Sequence, residues 1–238
     1  MSVTAQFQDR SEAGRLLAAK LGHHAGKSAV VVLGLPRGGV PVACEVAGIL
    51  NVPLDIFLVR GLGAPGYDEM VIGTVASGRV KILDREVVER LGISEEAAEA
   101  TARAEQRELE RQESIYRDGR EPVALKDQTV ILVDEGLATG FCIRAAVRAL
   151  REREPKSITV AVPVGSPDTC RQMRSEADEV VCAMTPEPFF SVGTWYADFM
   201  EIPDEEITRL LKHAAHQRRA REAQAKSDRL SIQEDIMA

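Results

Sequence analysis

Five short runs of apolar, mostly β-branched residues constrain this chain more than anything else in it. They are Ala29–Leu33, Leu54–Val59, Thr129–Val133, Ile158–Val162 and Glu179–Ala183. None alternates apolar with polar residues. A strand with one wet face alternates with period two, whereas a strand covered on both faces reads as a continuous apolar run. The runs therefore predict a parallel sheet with helices on both sides. Helical spacing fills the gaps. Ala13, Leu16, Leu17 and Leu21 share a face within Ser11–Leu21, and Val42–Leu50, Ile143–Arg153 and Pro167–Ala177 also read as helices. The last opens on Ser166–Pro167, a start signal. Alternating strands and helices predict an α/β fold with a doubly wound, mainly parallel sheet. The length of 238 residues suits one domain, residues 1–212, followed by a polar stretch, 213–238. That stretch reads as a frayed helix or a disordered tail.

One segment breaks the alternation. Residues 94–118 read as a long charged helix inserted into the sheet fold. Ser94 is its N-cap, Glu95 and Glu96 occupy its first turn, and Glu99–Arg103 and Glu113–Arg117 stand at i,i+4. It is either a solvated cover or an arm for a partner. The net charge is −7 and aromatics are 4% of the chain, which argues against a nucleic-acid partner. The acidity is local. Residues 94–121 hold 9 acidic and 5 basic residues, residues 186–206 hold 6 acidic and no basic ones, and the remainder holds 25 basic and 22 acidic. A slightly basic remainder is compatible with an anionic ligand. Met1–Arg10 lacks the pattern of a signal peptide, and no apolar stretch approaches the roughly 20 residues that span a bilayer. A cytoplasmic protein with no membrane partner is expected. Cys44, Cys142, Cys170 and Cys182 show neither C-x-x-C pairing nor zinc spacing, so four reduced thiols are expected.

Ligands of open parallel sheets bind beyond the carboxyl ends of the strands. The sequence there is distinctive in three places. After the third run comes Asp134-Glu135-Gly136-Leu137-Ala138-Thr139-Gly140, which turns straight into a helix at Phe141 and Cys142. Gly136 and Gly140 permit positive φ, so backbone N–H groups and a helix N-terminus can surround an anion. Two carboxylates beside that site would repel a bare phosphate. They suit a ligand that also carries hydroxyls, because ionised carboxylates only accept hydrogen bonds. A phosphorylated sugar answers both halves. After the first run, Pro36-Arg37-Gly38-Gly39 offers a guanidinium fork and close backbone approach. After the second, Val59 to Gly78 starts with Arg60 and is rich in glycine, which reads as a mobile loop. Farther on, residues 185–200 carry Phe189, Phe190, Val192, Trp195 and Tyr196, a cluster fit for a planar-ligand pocket or a local core.

The strand–acid–acid–loop–Thr-Gly segment resembles the phosphoribosyl-pyrophosphate motif of the type I phosphoribosyltransferases, above all an uncharacterised bacterial branch. The resemblance implies that Asp134 and Glu135 hold the ribose and that Gly136, Leu137, Ala138, Thr139, Gly140, Phe141 and Cys142 form the ribose-phosphate loop. It implies that Pro36, Arg37, Gly38, Gly39 and Arg60 hold pyrophosphate, with Asp134, Glu135 and Arg37 in the catalytic roles. It implies a non-proline cis peptide between Pro36 and Arg37 and a hood at 185–200, where Phe190, Val192 and Trp195 would receive a base. Mg²⁺ is the implied cofactor, with no protein ligand assigned to it. Phosphoribosyl pyrophosphate and a small nitrogen acceptor are the implied partners, and a homodimer the implied assembly.

The pattern departs from the family at four positions. Gly61 stands where relatives often carry lysine, Cys142 replaces the last hydroxyl residue of the phosphate loop, and Glu135 replaces an aspartate. Pro163–Pro167 has no counterpart of the lysine that reads 6-oxopurines. Losing a charged and a neutral hydrogen bond at Gly61 and Cys142 costs roughly 2–4.5 kcal/mol if additive. Two readings follow: an enzyme that transfers phosphoribosyl groups, or a weakly hydrolytic or non-catalytic binding protein that senses the same ligand.

Overall fold

The computed structural model describes residues 7–67 and 70–237, with side chains through Arg221. Most of Met1–Arg10, read above for a signal peptide, lies outside the described residues. In chain order the elements are α1 (Arg10–Lys20), β1 (Val30–Gly34), α2 (Gly39–Leu50), β2 (Leu54–Ile56), β3 (Val59–Gly63), β4 (Val71–Ala76) and β5 (Val80–Leu83). Then come α3 (Arg85–Arg90), α4 (Glu95–Arg117), β6 (Thr129–Val133), α5 (Phe141–Arg151), β7 (Ser157–Val164), α6 (Pro167–Met173), β8 (Glu179–Met184) and α7 (Asp204–Met237).

The five apolar runs supply one five-stranded sheet in the order β2-β1-β6-β7-β8, parallel throughout. Both faces are covered, which is why the runs need no alternation. On one face Val31, Leu33, Leu132 and Val160 pack against Ile143, Val147 and Leu150 of α5. On the other, Val30, Val32, Ile131 and Val133 pack against Leu17 of α1 and Val42, Val46 and Leu50 of α2. Adjacent strand residues thus enter opposite cores, as β geometry dictates. Among the described residues, no helix is long and apolar enough to cross a membrane.

The structure corrects the sequence reading at four places and, in the polar stretch 213–238, extends it at a fifth. The run at 54–59 is divided: β2 ends at Ile56 and β3, beginning at Val59, belongs to a second sheet. Its continuity of apolar residues hid the transfer, which is secured where Leu58 N–H donates to Ser77 Oγ at 2.7 Å. The expected mobile loop at 59–78 contains β3 and β4, which with β5 form an antiparallel sheet in the order β3-β4-β5. Residues 68 and 69 of that stretch lie outside the described residues. The inserted helix has the expected N-cap, Ser94 accepting from Ala97 N–H, but it is not wholly solvated. Ala98, Ala102, Leu109 and Tyr116 are buried against Leu62, Ile72 and Val75 of the small sheet and Ile207 and Leu211 of α7. Arg117 anchors its far end in a buried pair with Asp55, at 2.5 Å. The polar stretch at 213–238 continues α7 without a break at 212, and Arg221 donates to the carbonyl of Gly48 on α2. Finally, the thiols are not all free: α6 lies beside β8, and Cys170 and Cys182 form a disulfide, leaving Cys44 and Cys142.

Candidate active site

Three strand ends deliver the expected residues to one cavity of about 370 Å³. Its wall includes Pro36, Arg37 and Gly38 after β1, Arg60 on β3, Asp134 and Glu135 after β6, and Cys142 on α5. Gln112 and Tyr116 of α4 close one side, so the inserted helix is part of the site.

The two turns are packed into each other. A Cβ on Gly38 would run into the Glu135 carboxylate, and one on Gly39 would lie 2.7 Å from the Val133 carbonyl. Glycine is the only residue that lets the Arg37 turn approach the acids so closely. The peptide between Pro36 and Arg37 is cis, as the resemblance implies. A second cis bond, Glu187–Pro188, lies in the hood.

The acid pair is asymmetric. Asp134 accepts from the Glu135 N–H at 2.8 Å. Burial, helped by the neighbouring Glu135 charge, pushes its carboxyl up to about 7. Glu135 instead has a dedicated cation: Arg10 Nε donates to its Oε2 at 2.5 Å. Arg10 is buried, donates to the Met200 carbonyl at 3.0 Å and stacks 4.2 Å from the Phe199 ring centroid. It fixes the Glu135 carboxylate from a helix 125 residues away in sequence. No sequence signal marks Arg10, since one arginine in a first helical turn is ordinary.

The loop expected to hold a phosphate is fastened to its surroundings. Leu137 is buried, its N–H donates to the Val164 carbonyl, and its own carbonyl accepts from Ser166 N–H. Thr169 Oγ1 holds the Ala138 carbonyl at 2.6 Å, and Arg144 holds that of Thr139 at 3.2 Å. Gly140 adopts φ +77° and starts α5, whose first N–H groups have no partners within the helix. Gly136 lacks the positive φ expected of it: it is required because Val192 Cγ1 would meet its Cβ at 2.5 Å. Thr139 and Phe141 face a second groove of about 860 Å³, alongside Arg144 and Arg148. Partial desolvation in the cavity wall, with the Asp134 charge, raises the Cys142 thiol.

The cations expected to hold pyrophosphate already have partners. Arg37 is paired with Glu201 and, at 3.2 Å, with Asp204. The Tyr116 hydroxyl donates to that same Asp204 at 2.8 Å. Arg60 is paired with Glu105 of α4 at 2.5 Å. Lys81, on β5, pairs with Glu99. These acids come from the two strongly acidic segments, whose charge was the available signal.

The hood divides. Val192 packs on Gly136. Trp195, expected to meet a base, is only 9% exposed and belongs to a small core with Phe7, Ala13, Val164 and Tyr196. A large apolar ring next to the amino-terminal segment gains more from that core than from a wet cavity. Tyr196 anchors the hood, its hydroxyl donating to the Glu135 carbonyl at 2.6 Å. Phe190 is 70% exposed.

A profile of the phosphoribosyl transferase domain matches residues 4–197. A Mycobacterium tuberculosis H37Rv protein named "Putative phosphoribosyl transferase Rv0571c" is 41% identical over 208 residues, 87% of this chain. Those residues are 47% of the relative, so the chain spans about half the length of the curated relatives it matches. The crystal structure of TT1426 from Thermus thermophilus is 40% identical, covers 87% of this chain and 97% of its own, and superposes with a TM-score of 0.77.

Proposed function

Because the chain belongs to the phosphoribosyl transferase domain family, we propose that it moves a phosphoribosyl group from phosphoribosyl pyrophosphate to a nitrogen acceptor, a nucleobase, releasing pyrophosphate. The observation that carries this reading is the convergence of the Pro36–Gly38 turn, the Asp134–Glu135 pair and the start of α5 on one cavity. The same reading takes Mg²⁺ as cofactor, a homodimer as the assembly and the cytoplasm as the compartment.

Transfer passes through a sugar with growing positive charge at its anomeric carbon, so positioning and electrostatics supply most of the rate. Asp134 and Glu135 accept the ribose hydroxyls and stand as negative charge beside that carbon. Arg10 holds Glu135 in one orientation. The N–H groups at the start of α5 take the 5′-phosphate. Arg37 and Arg60 leave their carboxylate partners to bind the departing pyrophosphate. Oxygen donors suit Mg²⁺, and Asp134, whose burial opposes its ionisation, is the residue that would hold it. When bound, the ion neutralises charge on the leaving pyrophosphate.

One observation favours the second reading, a binding protein that senses phosphoribosyl pyrophosphate. Arg37 and Arg60 are both engaged by carboxylates of the chain itself, and Gly61 offers no further cation. Pyrophosphate release, measured with Mg²⁺ against a nucleobase panel and a no-base control, separates the readings. Release with one base supports transfer, and release without base supports hydrolysis. No turnover, together with thermal stabilisation by the donor that Asp134→Asn abolishes, supports sensing. A donor that neither turns over nor stabilises the chain overturns the site assignment.

A further inference from the structure

We propose that His23, His24 and Glu179 bind one divalent transition cation of the zinc class, at the end of the sheet opposite the phosphoribosyl cavity. Glu179 is the first residue of β8, and the sheet is parallel, so this cluster lies at the strand starts while the cavity lies at their carboxyl ends. His23 and His24 end the short 3-10 turn Gly22–His24 that follows α1.

The geometry is that of ligands around a shared point. His24 Nε2 lies 3.0 Å from Glu179 Oε2, and His23 Nε2 lies 3.1 Å from Glu179 Oε1. One ligand atom from each of the three residues falls within 4.8 Å of the others. Tetrahedral bonds of about 2.0–2.1 Å place neighbouring ligand atoms about 3.3 Å apart, and a single oxygen, Glu179 Oε2, lies 3.0 Å from His24 Nε2 and 3.4 Å from His23 Nε2. Two imidazole nitrogens and one carboxylate oxygen favour zinc and its neighbours over magnesium or calcium, which take oxygen sets. Thr159 Oγ1 donates to Glu179 Oε2 at 3.0 Å, the kind of outer contact that orients a ligating carboxylate. His24 is buried, while His23 is half exposed, which leaves an approach from solvent and room for a water as fourth ligand.

A cation held here would tie the end of the amino-terminal helix to the edge strand of the sheet. Its role would be structural, and it would steady the helix that carries Arg10.

The test uses the full chain stripped with EDTA and titrated calorimetrically with Zn²⁺. Expected are one equivalent per chain, affinity at least tenfold above that for Mg²⁺, and visible absorption bands of low-coordinate cobalt when Co²⁺ is used. Glu179→Gln and His24→Gln each weaken Zn²⁺ binding at least tenfold, whereas Cys142→Ser and the paired change His213→Gln with His216→Gln do not. Zn²⁺ should raise the melting temperature of the unmodified chain and leave that of Glu179→Gln unchanged. If Glu179→Gln does not fold, His23→Gln, on the exposed side, carries the same expectation. Sub-stoichiometric binding, binding indifferent to all three ligand changes, or binding lost with His213 and His216 overturns the proposal.

Discussion

The two halves of the cavity are built on different principles. The half after β6 is fastened: Leu137 is bonded to β7, Ala138 and Thr139 are held through their carbonyls, and Glu135 is fixed by a buried arginine. The half that carries Arg37 and Arg60 holds its cations in partly or largely exposed ion pairs, with acids from α4, the segment before α7 and the first turn of α7. Exposed pairs are worth about 0.2–1 kcal/mol and exchange readily, whereas a buried, hydrogen-bonded pair does not. On the proposed function, one half is preformed for a sugar phosphate, and the other must trade internal carboxylates for a polyanion.

The sharpest way to break this contrast is Asp134→Asn. On the fastened side there is no substitute for the lost charge, and activity should fall about 10²–10³-fold in pyrophosphate-release assays, with the fold intact by circular dichroism. The same residue sets a pH dependence. Its carboxyl is raised from 3.8 to about 7, so between those values the native chain keeps a proton that the unfolded chain has released. Stability then falls as pH rises through that window, by up to about 4 kcal/mol before solvent screening. Asp134→Asn should flatten the slope in denaturant titrations at pH 5 and pH 8. If the proposed transfer holds, kcat/KM of the free chain should rise with pH toward a plateau above about 7.

Next in size is Gly38→Ala. Its methyl group would collide with the Glu135 carboxylate and force the two turns apart. Overpacking of this kind costs about 1–3 kcal/mol, measured by denaturant unfolding, with donor affinity reduced in parallel. An unchanged stability would mean that the turns are not interlocked.

Two changes probe the exchangeable half. At Gly61 a Cβ would meet Phe141 and Val71 at 3.6 Å, an ordinary contact, so Gly61→Lys should be accommodated. A new charged donor there should tighten phosphoribosyl pyrophosphate binding about tenfold by calorimetry. Glu201→Gln removes one competitor for Arg37 and should tighten binding by about 2–5-fold, the scale of an exposed ion pair. A weaker affinity in Glu201→Gln would show that this acid positions Arg37 for the ligand instead of competing with it.

The sequence disclosed the large sheet because strands covered on both faces advertise themselves as unbroken apolar runs. It disclosed the loops at their ends because glycine, acid and helix-start residues cluster there. The small sheet was hidden. β3 and β4 contain Gly61, Gly63 and Gly73, and the helix that covers them shows mostly charge, its buried apolar stripe being half alanine. Arg10, Glu105 and Glu201 were hidden for another reason. Each acts through a partner distant in sequence, and a lone charged residue looks like any solvated one until the fold supplies the partner. Trp195 was ambiguous in the opposite sense: an aromatic cluster reads alike whether it stacks on a ligand or on itself.

The pairing of Arg10 with Glu135 bears on where this domain begins. If the first strand is taken as the start of the catalytic unit, the only cation paired with Glu135 among the described residues is cut away. So is Phe7, which bridges to Tyr196 and seats the hood. The amino-terminal helix is thus a working part of the site's electrostatics. Trimming it, or crowding it with a fused peptide, should alter chemistry at a carboxylate 125 residues downstream.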